Sequence, residues 1–135
     1  PEEVVERRLD TMQEFLKDFP AGKRTGRYRS CSLTNLDLED NSFELALCSH
    51  LLFLYDEHLS LDFHRETLRE ALRVAPEVRI FPLKNMEVQQ PRILPDVMSW
   101  LGEQGYEREI HEVPYEFQVG SREMLVVRRP PNGRI

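Results

Sequence analysis

One mostly apolar run, Phe43-Glu44-Leu45-Ala46-Leu47-Cys48-Ser49-His50, constrains the fold of this chain more than any other segment. Turn-forming residues, Asp40-Asn41-Ser42, lead directly into it. A short, mostly apolar run of this kind favours a buried strand of a parallel sheet. Its last three residues are Cys, Ser and His, and the carboxyl ends of such strands are where open α/β sheets bind ligands. We therefore expect a central strand over 43–50 with a site at its end.

Length and charge exclude several classes of protein. The chain has 135 residues, 40% of them hydrophobic, which suffices for one domain with a real core but provides no apolar segment long enough to cross a bilayer. A net charge of -6 disfavours broad binding of a nucleic-acid backbone. We expect a single α/β domain over 1–129 and a disordered tail over 130–135.

The cysteines and the start of the chain point to the cytoplasm. Cys31 and Cys48 lie in no CxxC pair and in no Cys/His spacing suited to zinc, so we expect reduced thiols and no metal. The chain begins Pro-Glu-Glu, without the basic and apolar regions of an export signal. The expected location is cytoplasmic.

Apolar periodicity predicts the order of elements in the first half. Helical spacing predicts an amphipathic helix over 2–18, which Pro20 and Gly22 would end. The apolar positions that define this helix are Val5, Leu9, Met12, Leu16 and Phe19. A short strand over 27–33 and a polar loop through Ser42 would then precede the strand over 43–50.

The second half alternates helices and strands before it ends in a hairpin. A helix from Ser60 to Ala75 is stopped by Pro76 and followed by a strand over 77–83. A third helix contains Ile93, Leu94, Val97, Met98 and Leu101, and Gly102 or Gly105 closes it. Strands over 106–118 and 123–129 would flank Gly120 as an antiparallel hairpin. This order predicts a mostly parallel sheet with helices on its faces and an antiparallel end.

Two segments together carry a resemblance to a known family. The run Leu36-Asp37-Leu38-Glu39-Asp40-Asn41-Ser42-Phe43-Glu44-Leu45 resembles the "LPF-x-DNSFD" segment of class I S-adenosylmethionine-dependent methyltransferases. Arg69-Glu70-Ala71-Leu72-Arg73-Val74 resembles their "E-x-x-R-V" helix end, and the strand at 78–83 follows as it does in that family. The resemblance covers about residues 27 to 129 and implies a partial Rossmann-like methyltransferase fold.

The same comparison shows what this chain lacks. The glycine-rich cofactor loop of the family and the acidic residue that ends its second strand have no counterpart here. Two strands that normally lie between the family's third and fourth strands are also missing. Their absence would leave the strand over 43–50 with an open apolar edge. Either the strand over 27–33 closes this edge, or a second chain covers it, as a homodimer or as a separate N-terminal half.

The resemblance assigns the cofactor S-adenosylmethionine to residues at two strand ends. Ser32 and Leu33 follow the third strand of the family, where its members meet the adenine. Cys48 and Ser49 end the fourth strand, where members contact the methionine part of the cofactor. The alternatives are a strand end that leads into a surface loop for the first pair and, for Cys48, a small residue that fills space in the core.

Three further residues are candidates for contact with a small-molecule methyl acceptor. His50 could act as a general base that takes a proton from an acceptor nitrogen or oxygen, or it could be a hydrogen-bonded structural histidine. Tyr55 and His58 would bind the acceptor, although a solvated helix entry explains them too. We expect His64 and His111 at the surface. A catalytically inactive module that dimerises as a binding or scaffold protein is the alternative function.

Overall fold

A four-stranded mixed sheet organises most of this chain, seen in a computed structural model that describes residues 1–131. The strands are β1 (Ala46–Ser49), β2 (Glu77–Phe81), β3 (Glu107–Glu112) and β4 (Glu123–Arg128), in the spatial order β1-β2-β4-β3. β1 and β2 are parallel, whereas β4 is antiparallel to both of its neighbours. The fold is therefore α/β, but the predicted mostly parallel arrangement is wrong for the described strands, because only the β1–β2 pair is parallel and the other two pairs are antiparallel.

Two helices contact the sheet and build the core with it. They are α2 (Leu61–Val74) and α3 (Leu94–Glu103), which contact each other as well as the strands. Ser60 caps α2, since its side chain accepts a hydrogen bond from the Phe63 N–H, as the sequence predicts. The fully buried part of the core includes Leu68 and Leu72 of α2, Ile80 of β2 and Leu125 of β4. Helix α3 ends before Gly105, which has a φ of +80°.

Helix α1 runs from Glu2 to Arg24, so the prediction that Pro20 and Gly22 end it is wrong. Pro20 removes one backbone donor but already has the φ that a helix needs. The helix ends in a C-cap at Thr25, whose N–H donates to the Ala21 carbonyl at 3.0 Å. A proline one turn from the end therefore leaves the last turn intact.

The predicted strand over 27–33 is wrong. Tyr28 folds back onto α1, where its ring lies 5.5 Å from the rings of Phe15 and Phe19. Ser32 then enters a tight turn and forms an isolated bridge with Asn35. A β-rich sequence needs a partner strand before it adopts strand geometry, and here aromatic packing on α1 replaces that partner.

β1 lies at an edge of the sheet. It pairs with β2 along one side, and no described strand pairs with its other side. The predicted strand over 43–50 is confirmed only in its second half, from Ala46 to Ser49. The residues from Phe43 to Leu45 are irregular, and the Phe43 N–H donates to the Val74 carbonyl. The prediction that this strand lies at the centre of the sheet is therefore wrong for the described strands. Leu47 consequently remains 71% exposed.

The closing hairpin is confirmed and shorter than predicted. β3 and β4 pair from Glu107 with Arg128 to Glu112 with Glu123. Residues 113–122 form a loop in which Gly120 has a φ of +84° and Ser121 is fully buried. The loop, rather than a longer β3, therefore carries Tyr115 and Phe117.

The chain divides into two compact units, Pro1–Cys31 and Ser32–Ile135. The first contains α1 and the segment that folds back onto it, and the second contains the sheet with α2 and α3. The single domain expected over 1–129 stays a prediction. Of the tail expected to be disordered, 132–135 lie outside the described residues. No helix between residues 1 and 131 has the length and apolar character needed to cross a membrane.

Candidate functional site

An apolar pocket of about 290 Å³ lies along β1 and its free edge. Three of the four predicted cofactor residues, Leu33, Cys48 and Ser49, line it. The remaining lining comes from β1, α2, β2 and the segments before and after β1: Leu36, Ala46, Leu47, Leu51, Thr67, Ala71, Val74 and Val78. The strand-end argument from sequence therefore finds residues that the fold brings together.

Ser32 lies apart from this set. Its hydroxyl is 2.9 Å from the Thr34 hydroxyl, and its carbonyl accepts the Asn35 N–H at 3.1 Å. Both contacts belong to the tight turn that replaces the predicted strand, and Ser32 is not among the residues that line the pocket. The turn therefore directs Leu33, rather than its neighbour, to the pocket.

Thr67 contributes an unexpected polar group to the pocket. Only 5% of the residue is exposed, and its hydroxyl oxygen has no hydrogen-bond partner among the described residues. A buried hydroxyl without a partner costs free energy, so such a group needs a water or a ligand atom beside it. The sequence gives no signal for this role, because Thr67 occupies an ordinary position on an amphipathic helix.

Cys48 fits the interpretation of a small residue that packs at the pocket wall. It is half-buried, and burial raises the pKa of its thiol above the ordinary value. A thiol with a raised pKa holds less thiolate at neutral pH and is a poorer nucleophile. Both cysteines are free thiols.

His50 follows β1 in an unusual backbone conformation. Its φ is +58°. Its N–H donates to the Phe81 carbonyl at 2.7 Å, and this bond holds the carboxyl end of β1 against β2. Its Nδ1 lies 2.6 Å from Ser49 Oγ. Positive φ values at non-glycine residues are uncommon and concentrate at functional sites. Ser49 thus links the imidazole to the pocket.

Three aromatic rings surround the His50 imidazole. Phe117 is nearest, with a centroid separation of 4.5 Å, followed by Phe81 at 5.6 Å and Tyr115 at 6.4 Å. All three meet the imidazole edge to face, a geometry that favours contact between aromatic rings. Sequence reasoning missed Tyr115 and Phe117, because the β3–β4 hairpin, and no local spacing, brings them to His50.

The two segments that carry the family resemblance bind each other. The Arg73 guanidinium donates to the carbonyls of Leu36 and Leu38 at 3.0 and 2.8 Å, and it pairs with Asp40 at 2.7 Å. Glu70 holds the same guanidinium and also accepts the Leu36 N–H at 2.8 Å. These contacts fasten the loop that carries Leu33 and Leu36 to α2. Arg73 therefore links the end of α2 to the loop before β1.

Tyr55 and His58 lie at a different place. They line a small cavity of about 50 Å³ with Asp56, Asn85 and Met86, and this cavity shares no lining residue with the pocket beside β1. Asp56 accepts the Arg92 N–H at 3.0 Å, and Asn85 accepts the N–H groups of Glu87 and Gln89. The cavity has room for little more than water. The structure thus keeps the predicted acceptor residues apart from the predicted cofactor residues.

His64 is buried, so its predicted surface position is wrong. It is fully inaccessible, its ring centroid lies 5.1 Å from that of Phe53, and its Nδ1 is 2.8 Å from the Ser60 carbonyl. Burial lowers its pKa because the charged imidazolium loses hydration, while the Ser60 carbonyl opposes this effect. His111 is exposed, as predicted, and pairs with Glu109 at 2.8 Å. Among residues 1–131, no three His, Cys, Asp or Glu side chains cluster in a way that could hold a metal ion.

One relative emerges from comparison with known proteins. The chain is 32% identical over 119 residues to an uncharacterized protein of Methanocaldococcus jannaschii, a match that covers 88% of this chain and 51% of the relative. The chain thus spans about half the length of the curated relative it matches. No protein-family model matches the chain. No solved structure matches it either.

Proposed function

We propose that this chain is the C-terminal part of a class I S-adenosylmethionine-dependent methyltransferase domain of Rossmann-like fold. The pocket beside β1 is then one wall of its cofactor site. The observation that carries this proposal is the convergence of Leu33, Cys48 and Ser49 on a single pocket, which runs along β1 and includes the last residue of that strand. The resemblance assigns all three to the cofactor, and ligands of open α/β sheets bind at such strand ends.

The free edge of β1 indicates how this site is completed. The resemblance places missing strands beside β1, on the side where the described residues provide no partner. The pocket, at about 290 Å³, is at the lower end of the range of roughly 300–1,000 Å³ for small-molecule sites. A separate N-terminal half would add the glycine-rich loop and enlarge the pocket, whereas a second copy joined through this edge would enlarge the pocket without supplying that loop. The archaeal relative is longer than this chain, which covers 51% of it.

The described residues fit part of the cofactor. The apolar wall suits the adenine ring and the methylene groups. Bound S-adenosylmethionine would supply an electrophilic methyl group on a sulfonium. Its ribose hydroxyls and carboxylate need polar partners that this wall does not offer, so the completing chain must provide them.

His50 would accept a proton from the methyl acceptor. Its Nδ1 is engaged by Ser49, so Nε2 is the nitrogen that serves as base. This requires the tautomer in which Nδ1–H donates to Ser49 Oγ, because the reverse bond would place the proton on Nε2. The aromatic cluster fixes the ring plane, and alignment of the acceptor contributes more than proton transfer to reactions of this kind. Tyr55 and His58 remain proposed contacts for the acceptor.

A non-enzymatic function is the second candidate. The pocket wall is mostly apolar, and Leu47 beside it is largely exposed, which also suits the docking of a protein segment. A catalytically inactive, methyltransferase-like module would use this edge to form a dimeric binding or scaffold protein in the cytoplasm. In that case the pocket holds side chains of the partner and has no affinity for a nucleoside.

Two tryptophan variants separate these functions. Ligand-detected NMR on the 135-residue chain should reveal weak binding of S-adenosylhomocysteine, the product form of the cofactor. Ser49→Trp should abolish the signal because the indole fills the pocket mouth, whereas Ser32→Trp should leave it unchanged because Ser32 lies outside the lining. Absence of any signal from the wild-type chain at about millimolar ligand, where even weak sites register, would contradict the enzymatic proposal.

A further inference from the structure

Helix α1 carries a seven-residue repeat on its apolar face. Val5, Leu9, Met12, Leu16 and Phe19 follow one another at alternating intervals of four and three residues. This is the spacing of the a and d positions of a coiled coil, which form a straight seam along one side of a helix. The exposed fraction of these residues ranges from 37% to 56%. The helix therefore presents a regular apolar seam with little cover.

Unit 1 itself covers only one end of this seam. The Tyr28 ring packs on Phe15 and Phe19, and its hydroxyl donates to Asp18 at 2.9 Å. Arg27 pairs with the same carboxylate through two bonds of 2.9 and 2.7 Å. Gly22 lies directly under the Tyr28 ring, where no side chain would fit. These contacts fix the C-terminal end of α1 and leave Val5 to Leu16 open.

The charges at the two ends of α1 are opposite. Glu2 and Glu3 lie in the first turn, and Lys23 and Arg24 lie in the last. Two antiparallel copies of α1 would bring the acidic first turn of each beside the basic last turn of the other. Parallel copies would place like charges side by side and align the helix dipoles. The charge pattern thus favours an antiparallel pair.

We infer that the seam of α1 binds the α1 seam of a second copy of this chain in an antiparallel arrangement. A membrane surface fits the helix less well, because acidic and basic residues nearly balance along α1 and its polar face is not cationic. This interface is distinct from the β1 edge and does not depend on the proposed function.

Two variants at positions in the same turn of α1 test the interface. Sedimentation equilibrium of the 135-residue chain should show a reversible dimer. Leu9→Glu should weaken it by about tenfold or more, because the seam would have to bury an unpaired carboxylate. Thr11→Glu adds the same charge to an exposed position off the seam and should leave the dimer intact. Helix content from circular dichroism checks that both variants keep α1.

Charge reversal tests the orientation. Replacing Glu2 and Glu3 by Lys should weaken the dimer at low salt, and adding Lys23→Glu and Arg24→Glu to the same chain should restore it. A wild-type chain that stays monomeric at high concentration would overturn the inference. The seam of α1 would then bind a segment other than a second copy of this helix. A dimer that survives Leu9→Glu but is lost in Leu47→Lys would also overturn the inference, since that result places the contact at the β1 edge. Failure of the double reversal to rescue would exclude the antiparallel arrangement.

Discussion

His64 illustrates how a single buried residue escapes sequence reasoning. Arg65 and Glu66 beside it suggest a solvent-facing position, yet the helix turns His64 inward against Phe53. Its Nδ1 meets the Ser60 carbonyl, and the Leu52 carbonyl and Asp56 also favour its charged form. Burial outweighs these three effects and lowers the pKa of His64. The folded chain therefore prefers the neutral imidazole.

This preference predicts a loss of stability in mild acid. Because the pKa is lowered on folding, the unfolded chain binds the proton more readily once the pH falls below the ordinary value of 6.5. The free energy of unfolding should be constant above that pH and decrease as the pH falls toward the folded-state pKa. Urea unfolding at a series of pH values from above 6.5 into mild acid would follow this decrease.

One histidine variant assigns the effect. His64→Gln should flatten the pH dependence in this window, whatever it does to stability at neutral pH. The carboxyl groups with lowered pKa values, Glu70, Glu77 and Glu109 among them, titrate at lower pH and should not interfere. An unchanged slope in His64→Gln would show that another group is responsible.

The elements of the chain differ in how far local sequence determines them. Helix α2, with its Ser60 cap, and the hairpin around Gly120 follow from signals within a few residues, and both are confirmed. The segment at 27–33 has equally suitable residues but lacks a neighbouring strand, so Tyr28 packs on α1 and Ser32 enters a turn instead. The end of α1 predicted from Pro20 is wrong because one missing backbone N–H near the end of a helix does not outweigh the hydrogen bonds that remain in its last turn.

The contacts that Arg73 of α2 makes with the loop before β1 lead to a testable prediction. Arg73→Gln should free the loop over 36–41, because a neutral amide cannot replace the contacts to two carbonyls and two carboxylates. We expect a lower thermal midpoint and faster limited proteolysis within the loop. The Glu70 carboxylate would keep the Leu36 N–H but lose Arg73, the largest cause of its lowered pKa.

Arg65→Gln is the matched control on the same helix. Arg65 pairs with Asp62 at 3.5 Å, and that carboxylate is 84% exposed, so the ion pair contributes little to stability. The control should unfold and be cleaved like the wild-type chain. Equal behaviour of Arg73→Gln and Arg65→Gln would show that the loop is held by its apolar contacts alone.

For the whole molecule, sequence and structure agree on the strand end and differ on its surroundings. The rule that ligands meet the carboxyl ends of strands predicts Cys48 and Ser49 without knowledge of the fold. Thr67, Tyr115 and Phe117 reach this region only through the packing of α2 and the register of the hairpin, which span long distances along the chain. The acceptor contacts predicted at Tyr55 and His58 lie on a separate cavity, because the turn after β1 directs them away from the pocket.

The most direct test of the central claim is methyl-resolved NMR of the 135-residue chain during titration with S-adenosylhomocysteine. The methyl resonances of Leu33, Leu36 and Ala71, which line the pocket, should shift progressively. Those of Leu101, Leu125 and Val127, which are buried in the core and absent from the pocket lining, should not. Shifts confined to the pocket would support a cofactor wall beside β1. No shifts there at saturating ligand, or shifts elsewhere alone, would contradict the account.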